Sequence, residues 1–345
     1  MLELQHRLIM QTINIAVSKA MEDMKSNTKR SIRNLIDLGL LFSRSENQKW
    51  FFSTAKKVIS NPRNPYNALA ARMIADVDND TIKKVGLNLG YNSLTYGANK
   101  LRKRQEAMDR PFPWLLVFDI SESHPDFFHQ IEKLIREGQE LGIYSYIFCL
   151  HEANDIADLC GIVKQFDECL FVFKAPSALI TDQTAASLRG IHNAVVCVQA
   201  ADGDLKSESC VNAFRILKQN RCLYGFHLTY NEDNMGKVTA PEYIRSAIAL
   251  GILFGMYIAD AGASSLCQDA LYAFACSERG EKGQPLITLE WLSDMRHISG
   301  KILSGCGYMV ISSAGNACCE FKKVKYAFEN SLLEMLQGMQ PCTSS

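Results

Sequence analysis

The sequence predicts an α/β fold: a partial or complete parallel β/α barrel, with a helical N-terminal region before it and a small C-terminal hairpin extension after it. Three observations carry this reading. Residues 1–110 place apolar side chains at helical spacing; from Pro111 short, fully apolar runs alternate with amphipathic segments; after Met295 a polar turn separates two short runs. Strands of a parallel sheet are covered on both faces, so they read as near-continuous apolar runs. The expected boundaries are 1–110, 111–294 and 295–345. An open doubly wound sheet is the alternative arrangement of the same units.

The elements follow in order. Leu8, Ile9, Ile13, Ile15, Ala16 and Ala20 mark a first helix, and Asn27 or Thr28 would cap a second that runs to about Leu41. Pro62 and Pro65 break the chain, because proline removes a donor and clashes with the preceding turn. Helices are expected over Tyr66–Ala75, Asp80–Leu89 and Ala98–Met108, with Gly90 and Gly97 in a polar connection. Six strands are then expected: Trp114–Asp119, Tyr144–Cys149, Cys169–Phe173, Ala194–Gln199, Leu223–Thr229 and Leu253–Ile258. Helices at Phe127–Leu141, Asp155–Gln165, Glu208–Asn220 and Pro241–Leu250 separate them. The tail predicts a hairpin, Cys306–Ile311 and Ala317–Phe321, turning at Ser312–Gly315, then a short helix over Asn330–Leu336.

Charge and cysteine usage narrow the function. Lysine plus arginine and aspartate plus glutamate number 37 each, so no global field draws the chain to nucleic acid or to an acidic membrane surface. The run Lys100–Arg104 is read as a solvated helix face rather than a nucleic-acid patch. The most apolar stretch, Ala247–Ala259, contains two glycines and is shorter than the ~20 residues a bilayer span needs. The N-terminus lacks an uninterrupted apolar signal region, and a cytoplasmic location is expected. Of 12 cysteines none precedes Cys149, which suits reduced thiols better than a disulfide framework.

In parallel β/α folds, ligands bind where strand C-termini and the following loops converge. That rule nominates Asp119, His151, Glu152, Lys174, Asp202, Tyr230 and Asp260 as a mouth. Asp119, Glu152 and Asp260 would supply acid or base groups, although they share no single reaction template. There is no P-loop, no GxGxxG after the first strand, no HExxH, no GxSxG and no CxxC pair.

The segments PFPWLLVFDIS and IEKLIREGQELGIYSYIFCLHEANDI resemble the start of a radical SAM domain. Upstream, ARMIADVDNDTIKKVGLNLGYNSLTYGANKLRKRQE is similar to the helical lead-in of one bacterial subgroup, and GFHLTYNEDN to its fifth strand. The tail SGCGYMVISSAGNACCEF resembles the cysteine-bearing, SPASM-like extension that ends many radical SAM proteins. The resemblance implies a β/α barrel that holds a four-iron cluster and S-adenosylmethionine. Two elements depart from it. The family's CxxxCxxC loop is replaced by Ile120–Phe128, which is shortened and has no cysteine; the Gly-Gly-Glu-Pro turn is replaced by Leu150–Ala153. His124 falls near the first cysteine's place, but one imidazole does not stand in for three thiolates.

The expectation is therefore a non-catalytic radical SAM-like protein, a pseudoenzyme, that binds a protein, peptide or small molecule. An active radical SAM relative is one candidate partner. No cofactor is expected, except for a residual iron–sulfur or zinc site that the resemblance would place at Cys306, Cys318 and Cys319, with Cys342 as a further ligand. Two alternatives stay open. One is an enzyme of altered chemistry that uses the rim carboxylates or the tail cysteines. The other is a regulator that binds nucleic acid through Lys29, Arg30 and Arg33 or through Lys100–Arg104.

Overall fold

The computed structural model describes residues 2–24, 28–43, 46–121, 125–152, 154–280, 283–303, 307–319, 322–325 and 330–338. His124, Cys306 and Cys342 lie outside them.

Six α-helices open the chain: α1 Leu2–Met24, α2 Thr28–Phe42, α3 Glu46–Ser60, α4 Tyr66–Asp76, α5 Asn79–Leu87 and α6 Ala98–Met108. The stretch expected as a polar connection, Asn88–Gly97, is a π-helix that joins α5 to α6. Its wider turn is held by buried amides. Asn88 Nδ2 donates to the Cys169 carbonyl at 2.7 Å, and Asn92 Nδ2 to the Glu168 carbonyl at 2.9 Å. Asparagine scores poorly as a helix former, but here its amide satisfies backbone groups that would otherwise be stranded.

The remainder builds β1 Leu115–Ile120, α7 Pro125–Leu141, β2 Ser145–Leu150, α8 Asn154–Val163, β3 Leu170–Pro176, α9 Asp182–Leu188, β4 Ala194–Gln199 and α10 Glu208–Gln219. It continues with β5 Tyr224–Tyr230, α11 Met235–Val238, α12 Pro241–Ala249, β6 Phe254–Ala259, α13 Ser265–Glu278, β7 Ile287–Glu290 and α14 Trp291–Ile302. The tail adds β8 Tyr308–Ser312, β9 Asn316–Cys319, β10 Lys322–Lys325 and α15 Leu332–Gly338. The strands form one sheet in the order β10-β9-β8-β1-β2-β3-β4-β5-β6-β7.

From β1 to β7 neighbouring strands are parallel, and β8 joins β1 in parallel as well, with Leu115 opposite Tyr308 and Asp119 opposite Ser312. The sheet curls into a half-barrel. The tail hairpin β8–β9 is antiparallel as expected, turning at Gly315 with φ 76°. Its first strand is a strand of the main sheet.

Side-chain parity sorts the strands into two faces. On the convex side, Phe118 stacks on Phe148 at 5.7 Å and Phe148 on Phe171 at 5.6 Å, with Phe127 of α7 against Phe118. These rings are all but fully buried and form the layer between sheet and helices. On the concave side, the opposite parity is free to build a site.

The N-terminal helices dock on the N-terminal ends of the strands by hydrogen bonds. Arg72 donates to the carbonyls of Ile248, at 3.0 Å, and Pro285. Arg221 donates to those of Ala75 and Val77. The basic run of α6 is spent in the same way. Lys100 and Arg104 donate to the Gln139 and Glu140 carbonyls in the last turn of α7, and Arg102 to the Ile302 carbonyl. Cations at a helix C-terminus meet unpaired carbonyls and the negative end of the dipole. This use leaves little of the run for a nucleic-acid backbone.

Candidate functional site

The concave face encloses a cavity of about 400 Å³, within the range of small-ligand sites. Its floor is apolar: Val117 of β1 and Ile147 of β2 lie opposite each other in register. One pleat further toward the strand C-termini, Asp119, Cys149 and Lys174 form a row across β1, β2 and β3. The next pleat carries Pro176, Gln199, His227 and Met256 across β3 to β6. Ile258, Val310, Trp291 and Tyr308 complete the lining. Trp291 opens α14 directly after β7, and its ring meets Tyr308 of β8 edge-on at 5.2 Å. The open side of the half-barrel is thus spanned by an aromatic contact.

The cavity's polar groups are unequally partnered. His151 Nε2 and Asp119 Oδ1 stand 3.3 Å apart; their side chains are 53% and 37% exposed. Lys174 has no carboxylate within ion-pair distance among the described residues. His227 is 5% exposed, and its Nε2 is buried with no hydrogen-bond partner among them. Burial, and then the Lys174 charge, hold this imidazole down to about 3, so it is neutral at ordinary pH. Burial pushes the Cys149 thiol up, with Lys174 opposing the shift, and Cys197 one strand beyond is driven up more strongly, also by burial.

Three of the residues expected at the mouth meet there: Asp119, His151 and Lys174. Glu152 is exposed just beyond His151. Asp202 is exposed at φ 52°, and its carbonyl accepts from Lys237 Nζ at 3.0 Å. Asp260 is exposed at the end of β6, and its Oδ1 accepts from the Ala261 amide at 2.7 Å. Tyr230 is fully buried, and its hydroxyl donates to Glu290 Oε1 at 3.1 Å. Burial and the Glu290 charge raise that phenol strongly. Glu290 also accepts from the Ser293 amide as the cap of α14, which makes Tyr230 a structural support of that helix. Cys319, expected to be a reduced thiol and a metal ligand, is instead disulfide-bonded, and its Sγ lies 3.5 Å from the Tyr308 carbonyl.

His227, Gln199, Met256, Trp291 and Tyr308 were not nominated from sequence. Parity was the signal for the first. In Tyr224–Tyr230, Gly225, His227 and Thr229 face away from the buried Phe226, Leu228 and Tyr230. Choosing the last residue of the strand selected the wrong face.

These donors do not fit the cluster that the resemblance implies, since Cys149 is the one cysteine in the cavity lining among the described residues. Three thiolates are needed at the end of β1. The nearest thiol in register is Cys149, opposite Asp119, and its burial favours the protonated form. Among the described residues, the one group of three His, Cys, Asp or Glu side chains with metal-ligating proximity is Asp78, Asp80 and His192. These lie at the opposite end of the barrel, where Asp78 already accepts from the Thr81 amide as the cap of α5.

No protein-family model matches the chain, and no curated protein does. Among solved structures it is similar to Streptococcus suis SuiB bound to S-adenosylmethionine, at 13% identity and a TM-score of 0.50, covering 69% of this chain and 67% of that one. SuiB bound to its precursor peptide SuiA gives 13% identity and a TM-score of 0.52, covering 70% and 69%. SuiB alone gives 13% and 0.50, covering 91% and 75%. The fold is radical SAM-like, a curled parallel half-barrel with a helical N-terminal region. No helix is long and apolar enough to cross a membrane among the described residues.

Proposed function

We propose that this protein is a radical SAM-like pseudoenzyme that uses its concave face to bind a peptide, a small molecule or a partner protein. One observation carries the reading. The row at the C-terminal end of β1–β3 holds a carboxylate, a protonated thiol and an ammonium, with no set of thiolates beside them among the described residues. The shortened segment after β1 contains no cysteine in the sequence. The cavity that remains is of ligand size, and SuiB, similar in fold, has been seen with a precursor peptide bound. An active radical SAM relative is a fitting partner, because a second copy of such a fold can lend the chemistry this chain lacks. The disulfide at Cys319 takes that sulfur out of any zinc or auxiliary-cluster ligand set, so such a site would form in the tail only after reduction and would serve structure rather than radical formation.

Anaerobic reconstitution with iron and sulfide, followed by S-adenosylmethionine titration, tests this. The expected outcome is no charge-transfer absorption from a four-iron cluster and no binding of S-adenosylmethionine. Iron together with bound S-adenosylmethionine would overturn the proposal. Iron alone would assign an auxiliary site to the tail.

The His151–Asp119 pair favours a second reading, an enzyme of altered chemistry. A carboxylate beside an imidazole at a cavity mouth orients the ring and supports general-base work. Loss of a measurable turnover in both Asp119→Asn and His151→Gln, with ligand binding retained, would select this reading over the first.

A further inference from the structure

We propose that the concave cavity takes a carboxylate with an aryl or bulky apolar body, its oxygens on Lys174 Nζ and the His227 imidazole and its body on Trp291 and Tyr308. This rests on the reading that the mouth is a ligand site, and it names the chemistry of the ligand.

The polar end follows from what is left without a partner. His227 projects from the middle of β5 into the cavity, is 5% exposed, and its Nε2 has no partner among the described residues. Neutral imidazole carries one N–H and one lone pair. Lys174 sits two strands away on the same concave face, and its positive charge reaches this ring. A cationic ligand would meet that ammonium unfavourably. An anionic oxygen meets a charge and an N–H donor together, and such charge-assisted bonds are the stronger kind. Asp119, the carboxylate in the same row, is engaged with His151. Gln199, next to His227 in register, supplies an amide within the same lining.

The other end follows from the walls. Met256, Ile258 and Val310 are apolar, and the Trp291–Tyr308 pair presents two rings to the same cavity. Aromatic walls of this kind stack on flat apolar groups. At about 400 Å³ the cavity has room for both ends of one small molecule, or for the C-terminal residue of a peptide.

The two sources share this chemistry and separate in one experiment on the full-length chain. Calorimetric titrations use 3-phenylpropionate, 3-phenylpropanamide, 3-phenylpropylamine and propionate, then a tetrapeptide ending in phenylalanine with a free or an amidated C-terminus. The expected result is that 3-phenylpropionate binds at least tenfold tighter than its amide, its amine analogue and propionate. Lys174→Met and His227→Phe should each weaken it by about tenfold or more. If His227→Phe fails to fold, Lys174→Met alone decides. A tetrapeptide that outcompetes 3-phenylpropionate only with a free C-terminus assigns the peptide source; equal or weaker binding assigns the small molecule. Equal binding of acid and amide, tighter binding of the amine, no effect of Lys174→Met, or no binding of any probe would overturn the proposal. Binding of the amide or amine alone would leave the mouth a ligand site of another class, and the iron and S-adenosylmethionine titration judges the loss of radical chemistry independently.

Discussion

At the scale of single residues, His227 links the site to stability. Its folded-state value lies near 3, below the ~6.5 of an unfolded imidazole, because burial and Lys174 disfavour the cation. Below pH ~6.5 the unfolded chain takes up a proton that the native protein refuses, so stability falls with pH until about pH 3, where the native ring is protonated too. The expected slope approaches ~1.4 kcal/mol per pH unit inside that window and vanishes above it. Urea titrations of the protein and of His227→Phe at several pH values should differ in this slope between about pH 6 and pH 4. The other titratable groups that line the cavity, Lys174, Asp119, His151, Cys149 and Tyr308, remain in both proteins. Parity explains what was legible here. Asp119 and Lys174 line the cavity because they lie on the concave pleat near strand ends, while Tyr230, three residues after His227, falls on the opposite face of the sheet.

At the scale of elements, the apolar runs made the six expected strands readable, with ends within a few residues of those observed. The π-helix Asn88–Gly97 was not readable, because its asparagines and glycines signal a loop locally and the carbonyls that satisfy them lie at Asp167–Cys169. The short helix α9 was missed for a related reason. It is stabilised by a Thr181–Thr184 capping box within a polar run and has little apolar periodicity. Gly97 shows how tightly the π-helix is seated. A Cβ there would meet the Gly142 carbonyl oxygen well inside van der Waals distance, and Gly142 itself needs φ 118°. Gly97→Ala is expected to destabilise the fold by ~1–3 kcal/mol through backbone overpacking. Thermal unfolding of this variant beside Gly86→Ala, where an added Cβ meets nothing within 4 Å, provides the check.

At the scale of the whole molecule, β7 at one end of the sheet and β8 beyond β1 are bridged across the cavity by Trp291, which follows β7, and Tyr308 rather than by a strand ladder among the described residues. Such a ring pair is worth ~0.5–1.5 kcal/mol beyond its buried area. Trp291→Ala is therefore expected to speed amide exchange in β7 and β8 by about tenfold, with β3 and β4 little changed, as measured by hydrogen–deuterium exchange. The tail's part in this was only half legible. Its turn at Ser312–Gly315 announced a hairpin, but pairing with β1 is a contact across more than half the chain, and no local pattern reports it.

That pairing bears on how the protein is made. β1 is synthesised before the neighbour that pairs with it on the side away from β2, β8, with β2 to β7 and their helices made in between. Until then Leu115–Ile120 presents a bare row of donors and acceptors on a highly apolar strand, the geometry that templates association with other chains. Long-range parallel pairing of this kind is slow to form. A chain that ends before Tyr308 would carry this exposed edge, so truncation there is expected to raise aggregation, as measured by light scattering during refolding.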